Sequence, residues 1–367
     1  MRVLVTGHNG YIGTVLVPIL LGYGHEVIGL DTDFFERCTF TGVLPDVESI
    51  WKDVRDIQKR DVEGIDAIIH LAGLSNDPLG DYKPELTEKI NETASIELAR
   101  KAKEVGVKRF LFASSCSNYG AGGTDFLSEQ APFNPVTPYG LSKVRVELAL
   151  SRMADADFSP TYVRASTAYG VSPRLRFDLV ANNLTAWAFT TGRVYLKSDG
   201  TPWRPIVHVE DISRAYIAAL HAPRELVHNE PFNVGTTTEN YQIREIAEIV
   251  KEVVPGCKID YAPGAGPDKR CYRVDCNKIA HSLHEFKPQW TARRGIEQLY
   301  AEYQKVGLTL EEFEGKKYKR IAHVKHLVAE GWLDGNLRWR ESVVRSQELA
   351  VRNREVFTAE AQRAQRR

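Results

Sequence analysis

Tyr139 and Lys143 stand four residues apart in Tyr139-Gly140-Leu141-Ser142-Lys143, a spacing that puts both on one face of a helix. An ammonium near a phenol stabilises the phenolate and can bring a tyrosine with a reference pKa of about 10 towards working pH. Such a tyrosine can take the proton of a hydroxyl while hydride leaves the same carbon. Upstream, Ser114-Ser115-Cys116-Ser117-Asn118-Tyr119-Gly120 comes after a strand-like run at Arg109–Ala113. A hydroxyl at the carboxyl end of a parallel strand faces the crevice where ligands bind, so Ser115 can bridge Tyr139 and a substrate oxygen. Tyr-x-x-x-Lys alone also fits an ordinary surface helix, so its weight depends on what surrounds it.

Hydride chemistry needs an acceptor, and the amino-terminal segment offers a place for one. A strand at Val3–Thr6 runs into Gly7-His8-Asn9-Gly10-Tyr11-Ile12-Gly13, and leads to a helix over Tyr11–Leu21. Glycines are needed where the chain turns tightly and where backbone must approach a pyrophosphate. The helix N-terminus then supplies N–H groups and partial positive charge. Eighteen residues after Gly13, a second strand (Glu26–Asp31) ends in Asp31. An acid there accepts hydrogen bonds from both adenosine ribose hydroxyls and repels a 2′-phosphate, which favours NAD over NADP. Pro18 conflicts locally with the helix, because it removes a hydrogen bond and kinks the chain.

The elements that must position these groups alternate. Further strands are expected at Ala67–Leu71, Arg109–Ala113 and Thr161–Arg164, with helices over Leu86–Val105 and Tyr139–Met153. Alternation at this spacing gives βαβ units and a parallel sheet covered on both faces. The second half is less regular: helices over Asp178–Thr191 and Ile243–Val253, and strands at Ile206–Val209, Phe232–Val234 and Lys258–Tyr261. The fold class is α/β, a Rossmann-like doubly wound parallel sheet with a smaller mixed α/β C-terminal substrate domain. Residues 1–178 and 206–236 are assigned to the dinucleotide-binding domain, and 179–205 and 237–305 to the substrate domain. Residues 306–367 form a partly helical extension, with compact patterns at Leu308–Phe313 and Ile321–Gly331. The tail carries Val344, Leu349, Val351 and Val356 at loosely helical spacing and reads as a surface helix or an oligomer arm.

Composition agrees with a globular chain: 43% of the 367 residues are hydrophobic and 26% charged. Lys+Arg and Asp+Glu are both 48, so no global field holds nucleic acid or an anionic membrane, and an anionic ligand must meet a local basic cluster. The five cysteines (Cys38, Cys116, Cys257, Cys271, Cys276) are scattered, with neither a disulfide framework nor zinc-ligand spacing. An odd count suits a reducing cytoplasm. The first strand begins almost at Met1, without room for a signal peptide, and the longest apolar stretch is broken by Gly13, Pro18 and Gly22.

Together these motifs resemble an extended short-chain dehydrogenase/reductase of the nucleotide-sugar epimerase/dehydratase family, over about residues 1–305. The resemblance rests on the glycine loop, His70-Leu71-Ala72-Gly73, Asn91, the Ser115 segment and the Tyr139/Lys143 pair. It implies a catalytic triad of Ser115, Tyr139 and Lys143, with the lysine also holding the nicotinamide ribose. It implies cofactor contacts at Gly7, Asn9, Gly10, Tyr11, Ile12, Gly13, Asp31, Leu71, Ala72, Gly73 and Asn91, with Asp53 and its neighbour Val54 at the adenine. Gly73 departs from the family's usual Ala. For the substrate, a nucleotide-diphosphate sugar, it implies Ser75, Cys116, Ser117, Asn183, Arg204, Asp268 and Arg270. Asn182-Asn183-Leu184 resembles an element of UDP-galactose 4-epimerases that contacts the diphosphate. Arg204 matches a diphosphate-binding arginine, although Pro205 replaces the usual Asp. Arg174 and Arg176 could add to this cluster and are not assigned to it. A homodimer is also implied.

The two residues directly after Ser115 narrow the reaction. The family's 4,6-dehydratases carry Asp-Glu there to drive water elimination, and this chain has Cys116-Ser117. Cys116 resembles the acid/base cysteine of C3/C5 epimerases, but two residues rather than one separate it from Tyr119. The main reading is C4 epimerisation with bound NAD through a 4-keto intermediate. The alternative is an NAD(H)-dependent 4-ketoreductase or dehydrogenase. A non-catalytic dinucleotide-binding role would be expected to lose Tyr139 or Lys143, and both are present.

Overall fold

A computed structural model describes residues 1–75, 77–266 and 270–341. Seven strands form the central sheet: β1 (Arg2–Thr6), β2 (Glu26–Asp31), β3 (Glu48–Trp51), β4 (Ala67–His70), β5 (Arg109–Ser115), β6 (Ser159–Ala165) and β7 (Glu230–Val234). Their order is β7-β6-β5-β4-β1-β2-β3, with every neighbouring pair parallel. The chain begins mid-sheet, lays β2 and β3 to one side, then crosses to β4. The carboxyl ends of β1 and β4 therefore flank the switch point, where a crevice opens.

Strand β1 is buried on both faces. Val3 and Val5 join a core with helix α1 (Gly13–Gly22), and Leu4 joins another with helices α2 (Ala94–Glu104) and α3 (Pro138–Met153). A third core lies around helices α4 (Val180–Thr191) and α6 (Ala292–Val306). It lies beside small sheets pairing Trp203–His208 with Thr167–Tyr169 and Asn240–Gln242, and Arg193–Leu196 with Lys258–Tyr261. Helix α5 (Val209–His221) packs on the first core. Among the described residues no helix is long and apolar enough to cross a membrane.

Three local features differ from the sequence reading. Strand β3 has no counterpart there: it is a sheet edge whose Glu48, Ser49 and Trp51 are exposed, so it carries no buried pattern. Helix α1 runs through Pro18, which lies on the solvent face. The helix expected over Leu86–Val105 contains a π-helical turn at Glu88–Thr93 before α2; such turns mark places where a ladder is locally re-aimed.

The extension is ordered as far as it is described. Helices occupy Leu310–Glu314 and α7 (Arg320–Ala329). Val324, Leu327, Leu333 and Leu337 are buried in the core beneath β2 and α2, and Leu308, Phe313 and Tyr318 in the third core. The helical spacing at Val344, Leu349, Val351 and Val356 lies outside the described residues.

One buried ion pair ties helix α3 to the sheet. Glu147 on α3 and Arg164 on β6 are each only 4% exposed and meet at 2.6 Å. Ser114 and Asn118 donate to the same carboxylate, and Arg164 donates to Tyr119 Oη at 3.0 Å. Removing one partner strands a charge in low dielectric. Glu147→Leu or Arg164→Met alone should each destabilise by about 3–5 kcal/mol. The double variant should lose less than either single, because no unpaired charge remains; chemical denaturation of the three proteins checks this.

Candidate active site

The glycine loop has the geometry a dinucleotide requires. Gly7 has φ 76°, and a Cβ there would meet Ala72 N at 2.8 Å; one on Gly13 would meet His8 O at 2.4 Å. Backbone thus fills the space, and any side chain would push the loop off β4 or helix α1 off the loop. Gly7, Asn9, Gly10, Tyr11, Ile12 and Gly13 line one wall of a crevice. Leu71, Ala72, Gly73 and Ser75 line the crevice beside them.

At its far end stand Asp31, Asp33, Asp53 and Val54. Asp31 Oδ2 accepts from Asn9 N at 3.1 Å and Oδ1 from Asp33 N at 3.0 Å. Burial and the nearby Asp31 push the Asp33 carboxyl up to about 6. Two adjacent carboxyls suit ribose hydroxyl donors and oppose a third negative group. Asn9 Nδ2 donates to Asp33 at 2.7 Å, so its side chain shapes this acidic end. Asp53 caps a short turn and is held by Arg55 (Nη2 to Oδ2, 2.6 Å) and Arg338 (3.3 Å).

Asn91 requires a correction. It does not line the crevice: its Oδ1 accepts from Leu74 N at 2.7 Å and its Nδ2 donates to Leu74 O at 3.0 Å. Both polar atoms of its amide are paired with the loop after β4, so it positions that loop. The same contact accounts for Gly73, where a Cβ would press on Asn91 Oδ1 at 3.0 Å. A relay extends the clamp. Ala72 N donates to Thr6 Oγ1 (3.3 Å), which meets His70 Nδ1 (2.6 Å); His70 Nε2 meets Ser95 Oγ (2.7 Å), which donates to Asn91 O (2.6 Å). Donor order makes Nε2 the protonated nitrogen, and burial pushes His70 down to about 3, so it stays neutral.

A larger cleft of about 780 Å³ adjoins the crevice, and Ser115, Tyr139 and Lys143 all line it. The Ser115 hydroxyl lies on the same cleft wall as the Tyr139 phenol and accepts from Ser117 N at 3.1 Å. Helix α3 begins with Thr137 as N-cap and Pro138 in its first turn, which fixes Tyr139 at the mouth and Lys143 one turn deeper. The charges depart from expectation. Burial pushes Tyr139 up to about 12, and Asp77 adds to the rise; burial pushes Lys143 down to about 8. Lys143 Nζ lies 5.6 Å from the Tyr139 ring centre and 4.7 Å from that of Phe112. In both groups desolvation is the largest cause of the shift.

Of the expected substrate residues, Ser75, Ser117, Asn183, Arg204 and Arg270 line this cleft. Asn183 Nδ2 donates to Phe177 O at 2.8 Å; Arg204 donates to Trp203 O at 2.8 Å and to Arg270 O. Asp268 lies outside the described residues. Cys116 is a correction: it is fully buried, its Sγ faces Arg164 O at 3.1 Å, and burial pushes its thiol up to about 12. It neither reaches the cleft nor provides a thiolate, so the C3/C5 acid/base role and its substrate contact fall.

Sequence reasoning missed Asp77 and Tyr272 and left Arg176 unassigned; all three line the same cleft. Asp77 accepts from Thr137 Oγ1 at 2.7 Å and pairs with Arg270 at 2.6 Å, joining the loop after β4 to α3 and to the far wall. Its signal was the Asp-Pro step that starts the helix Asp77–Tyr82. Arg176 pairs with Asp178 at 3.0 Å and lines both cavities.

The depressed Lys143 makes a stability prediction. Below about pH 8 folded and unfolded chains both carry the proton, and the burial cost is fully present. Between 8 and the reference 10.5 only the unfolded chain carries it, so stability rises with pH. Lys143→Met should therefore stabilise the ligand-free protein at pH 7 by about 1–3 kcal/mol while abolishing turnover, as read by thermal melts and activity on one preparation.

Known proteins resemble this chain in sequence and in fold. Residues 3–235 match the model of the NAD dependent epimerase/dehydratase family. The chain is 30% identical to the UDP-glucose 4-epimerase of Homo sapiens over 342 residues, 81% of this chain and 94% of that one. It is 27% identical to UDP-glucuronic acid decarboxylase 1 of Arabidopsis thaliana over 332 residues, 86% of this chain and 72% of that one. Its fold is similar to that of MoeE5 in complex with UDP-glucuronic acid and NAD, with a TM-score of 0.72 and 27% identity over 83% of this chain and 99% of that one.

Proposed function

The chain belongs to the NAD dependent epimerase/dehydratase family, and from that premise we propose that it is a nucleotide-sugar epimerase working at C4 through a transient 4-keto intermediate. The observation that carries this reading is the pairing of a complete Ser115–Tyr139–Lys143 set with the absence of an acid directly after Ser115. Cys116 faces the core and Ser117 is a hydroxyl, so neither can protonate a departing C6 hydroxyl. Asp77, the carboxylate beside Tyr139, is paired with Arg270. The cleft is thus equipped for proton and hydride transfer at one carbon. The likeness to 4-epimerases along most of both chains agrees with it.

The crevice fits NAD. The Gly7 and Gly13 cradle excludes side chains, and the Asp31/Asp33 pair opposes a 2′-phosphate. When bound, NAD supplies the hydride acceptor and the positive charge of its nicotinamide. The chain's own residues do the rest. Ser115 orients the substrate hydroxyl against Tyr139 Oη. Tyr139 takes the hydroxyl proton on oxidation and gives it back to the carbonyl oxygen on reduction. Lys143, charged at neutral pH, would favour the phenolate and would hold a ribose hydroxyl of the dinucleotide. Asn183, Arg204 and Arg270 address the nucleotide diphosphate from the far wall, with the two arginines suited to bidentate contacts. Epimerisation requires the 4-keto sugar to turn over before hydride returns, and the volume of the cleft permits this.

The deciding experiment uses protein purified without added dinucleotide. Release of about one NAD per chain on denaturation, with interconversion of UDP-glucose and UDP-galactose in the absence of external NAD, is the expected result. An empty protein that consumes NADH with a keto-sugar nucleotide would instead establish the reductase. Tyr139→Phe should retain NAD and lose at least about a thousandfold in kcat, since it removes the group that moves the proton.

A further inference from the structure

The family match ends at residue 235, yet a residue far beyond it lines the dinucleotide crevice. Arg320 opens helix α7 in the C-terminal extension, is 2% exposed, and forms part of the crevice wall together with the glycine loop. Its Nη2 donates to Arg174 O at 2.9 Å, and its guanidinium lies 3.9 Å over the Phe35 ring. Its Nη1 is buried with no hydrogen-bond partner. Asp178 acts on it electrostatically but is held in a fork by Arg176, and no ion pair among the described residues reaches Arg320. A buried cation with an orphaned N–H and no carboxylate in contact is costly. A ligand that supplies an anion there removes the cost.

Its position along the crevice indicates which anion. Two cavities meet at the glycine loop. One reaches Asp31, Asp53 and Val54, the adenosine end; the other holds Ser115, Tyr139 and Lys143, the redox end. Tyr11, Ile12, Arg176 and the segment after β4 line both, so they mark the junction. Arg320 lines the first cavity, while its chain neighbours Lys319 and Ile321 line the second. A dinucleotide spanning both must thread its diphosphate through this junction. Arg176 already holds Asp178 in a two-bond fork at 3.0 and 3.1 Å, so its charge is largely compensated. Helix α1 offers only the partial charge of its N-terminus against two phosphates.

We propose that Arg320 binds the diphosphate of NAD, and that the C-terminal extension is thereby a working part of the cofactor site. The segment after Arg320 is anchored around the adenosine end in keeping with this. His323 Nε2 meets Phe34 O at 2.9 Å, Trp339 Nε1 donates to Thr32 O at 2.6 Å, and Arg55 donates to Asn336 O and Leu337 O at 2.9 and 3.0 Å. These contacts fasten the extension to the loops after β2 and β3 and hold Arg320 against the crevice. An extension seated this way restrains release of the dinucleotide, which suits a cofactor recycled in place.

The test compares wild type, Arg320→Lys and Arg320→Met as full chains stripped of dinucleotide. Calorimetry with NAD, ADP-ribose and adenosine reads affinity, and melts without ligand read stability. The expected result is an affinity loss of about ten- to a hundredfold for NAD and ADP-ribose in R320M, the range of a charge-assisted buried contact, a smaller loss in R320K, and unchanged adenosine binding. Less NAD should also remain bound to R320M on purification. NAD and ADP-ribose affinities within twofold of wild type would overturn the proposal and leave Arg320 as a bolt between α7 and Arg174. An equal loss for adenosine would overturn it too, by showing that the pocket itself had collapsed. If R320M does not fold, R320K decides alone: it keeps charge and stem but not the fork, and unchanged ADP-ribose affinity in it would refute a guanidinium contact. None of these readouts depends on which sugar carbon is acted on.

Discussion

The Glu147–Arg164 ion pair sets how Ser115 on β5 meets Tyr139 and Lys143 on α3. Ser114 is paired with Arg164 across β5 and β6, in the same register that sets Ser115 opposite Ala165. Glu147 lies one turn beyond Lys143 on α3. The 2.6 Å contact therefore fixes the catalytic helix against the serine strand, with Ser114 and Asn118 completing the carboxylate's shell. A pair this deeply buried contributes little net stability. Its effect is geometric, since no apolar contact would define the rotation of α3 as narrowly. The same network absorbs Cys116 and Tyr119, through Arg164 O and Arg164 Nη1, and turns them from the cleft.

On that frame the site holds charges that are unfavourable until ligands arrive. Lys143 is pushed down to about 8, Arg320 to about 10, and Tyr139 up to about 12, each chiefly by burial. An anionic diphosphate would relieve Arg320, and the positive charge of a bound nicotinamide would favour the phenolate of Tyr139. Binding in the crevice would then be coupled to the protonation state of Tyr139. Such sites are less stable than an apolar packing of the same space would be, a cost commonly found where function resides.

Much of the first half of the molecule was legible because its signals are local. Strands β1, β2, β4 and β5 are short apolar runs bounded by turns, and the glycines mark places where any Cβ would meet backbone. Strand β3 was not, because an exposed edge leaves no period in the sequence. Asn91 and Cys116 were legible as motif positions but not in their roles. Whether an amide faces a cofactor or clamps Leu74, or a thiol faces a cleft or a core, depends on side-chain direction and on partners 17 or more residues away. Asp77 and Arg320 illustrate the reverse: single polar residues with little sequence context, joined to the site by contacts across 193 and 146 positions.

The sequence by itself determined most of the strand and helix alternation of the first half, the glycine cradle, the acid at the end of β2, and the helical spacing that sets Tyr139 and Lys143 on one face. These result from spacing within one turn or one βα unit, where covalent geometry leaves few choices. Only the tertiary structure decided which cations and acids share the cleft, why Tyr139 and Lys143 titrate away from one another, and that residues past 306 wall the cofactor crevice. Those outcomes depend on burial and on long-range contacts, whose electrostatic strength is set by the dielectric that the whole fold creates around them.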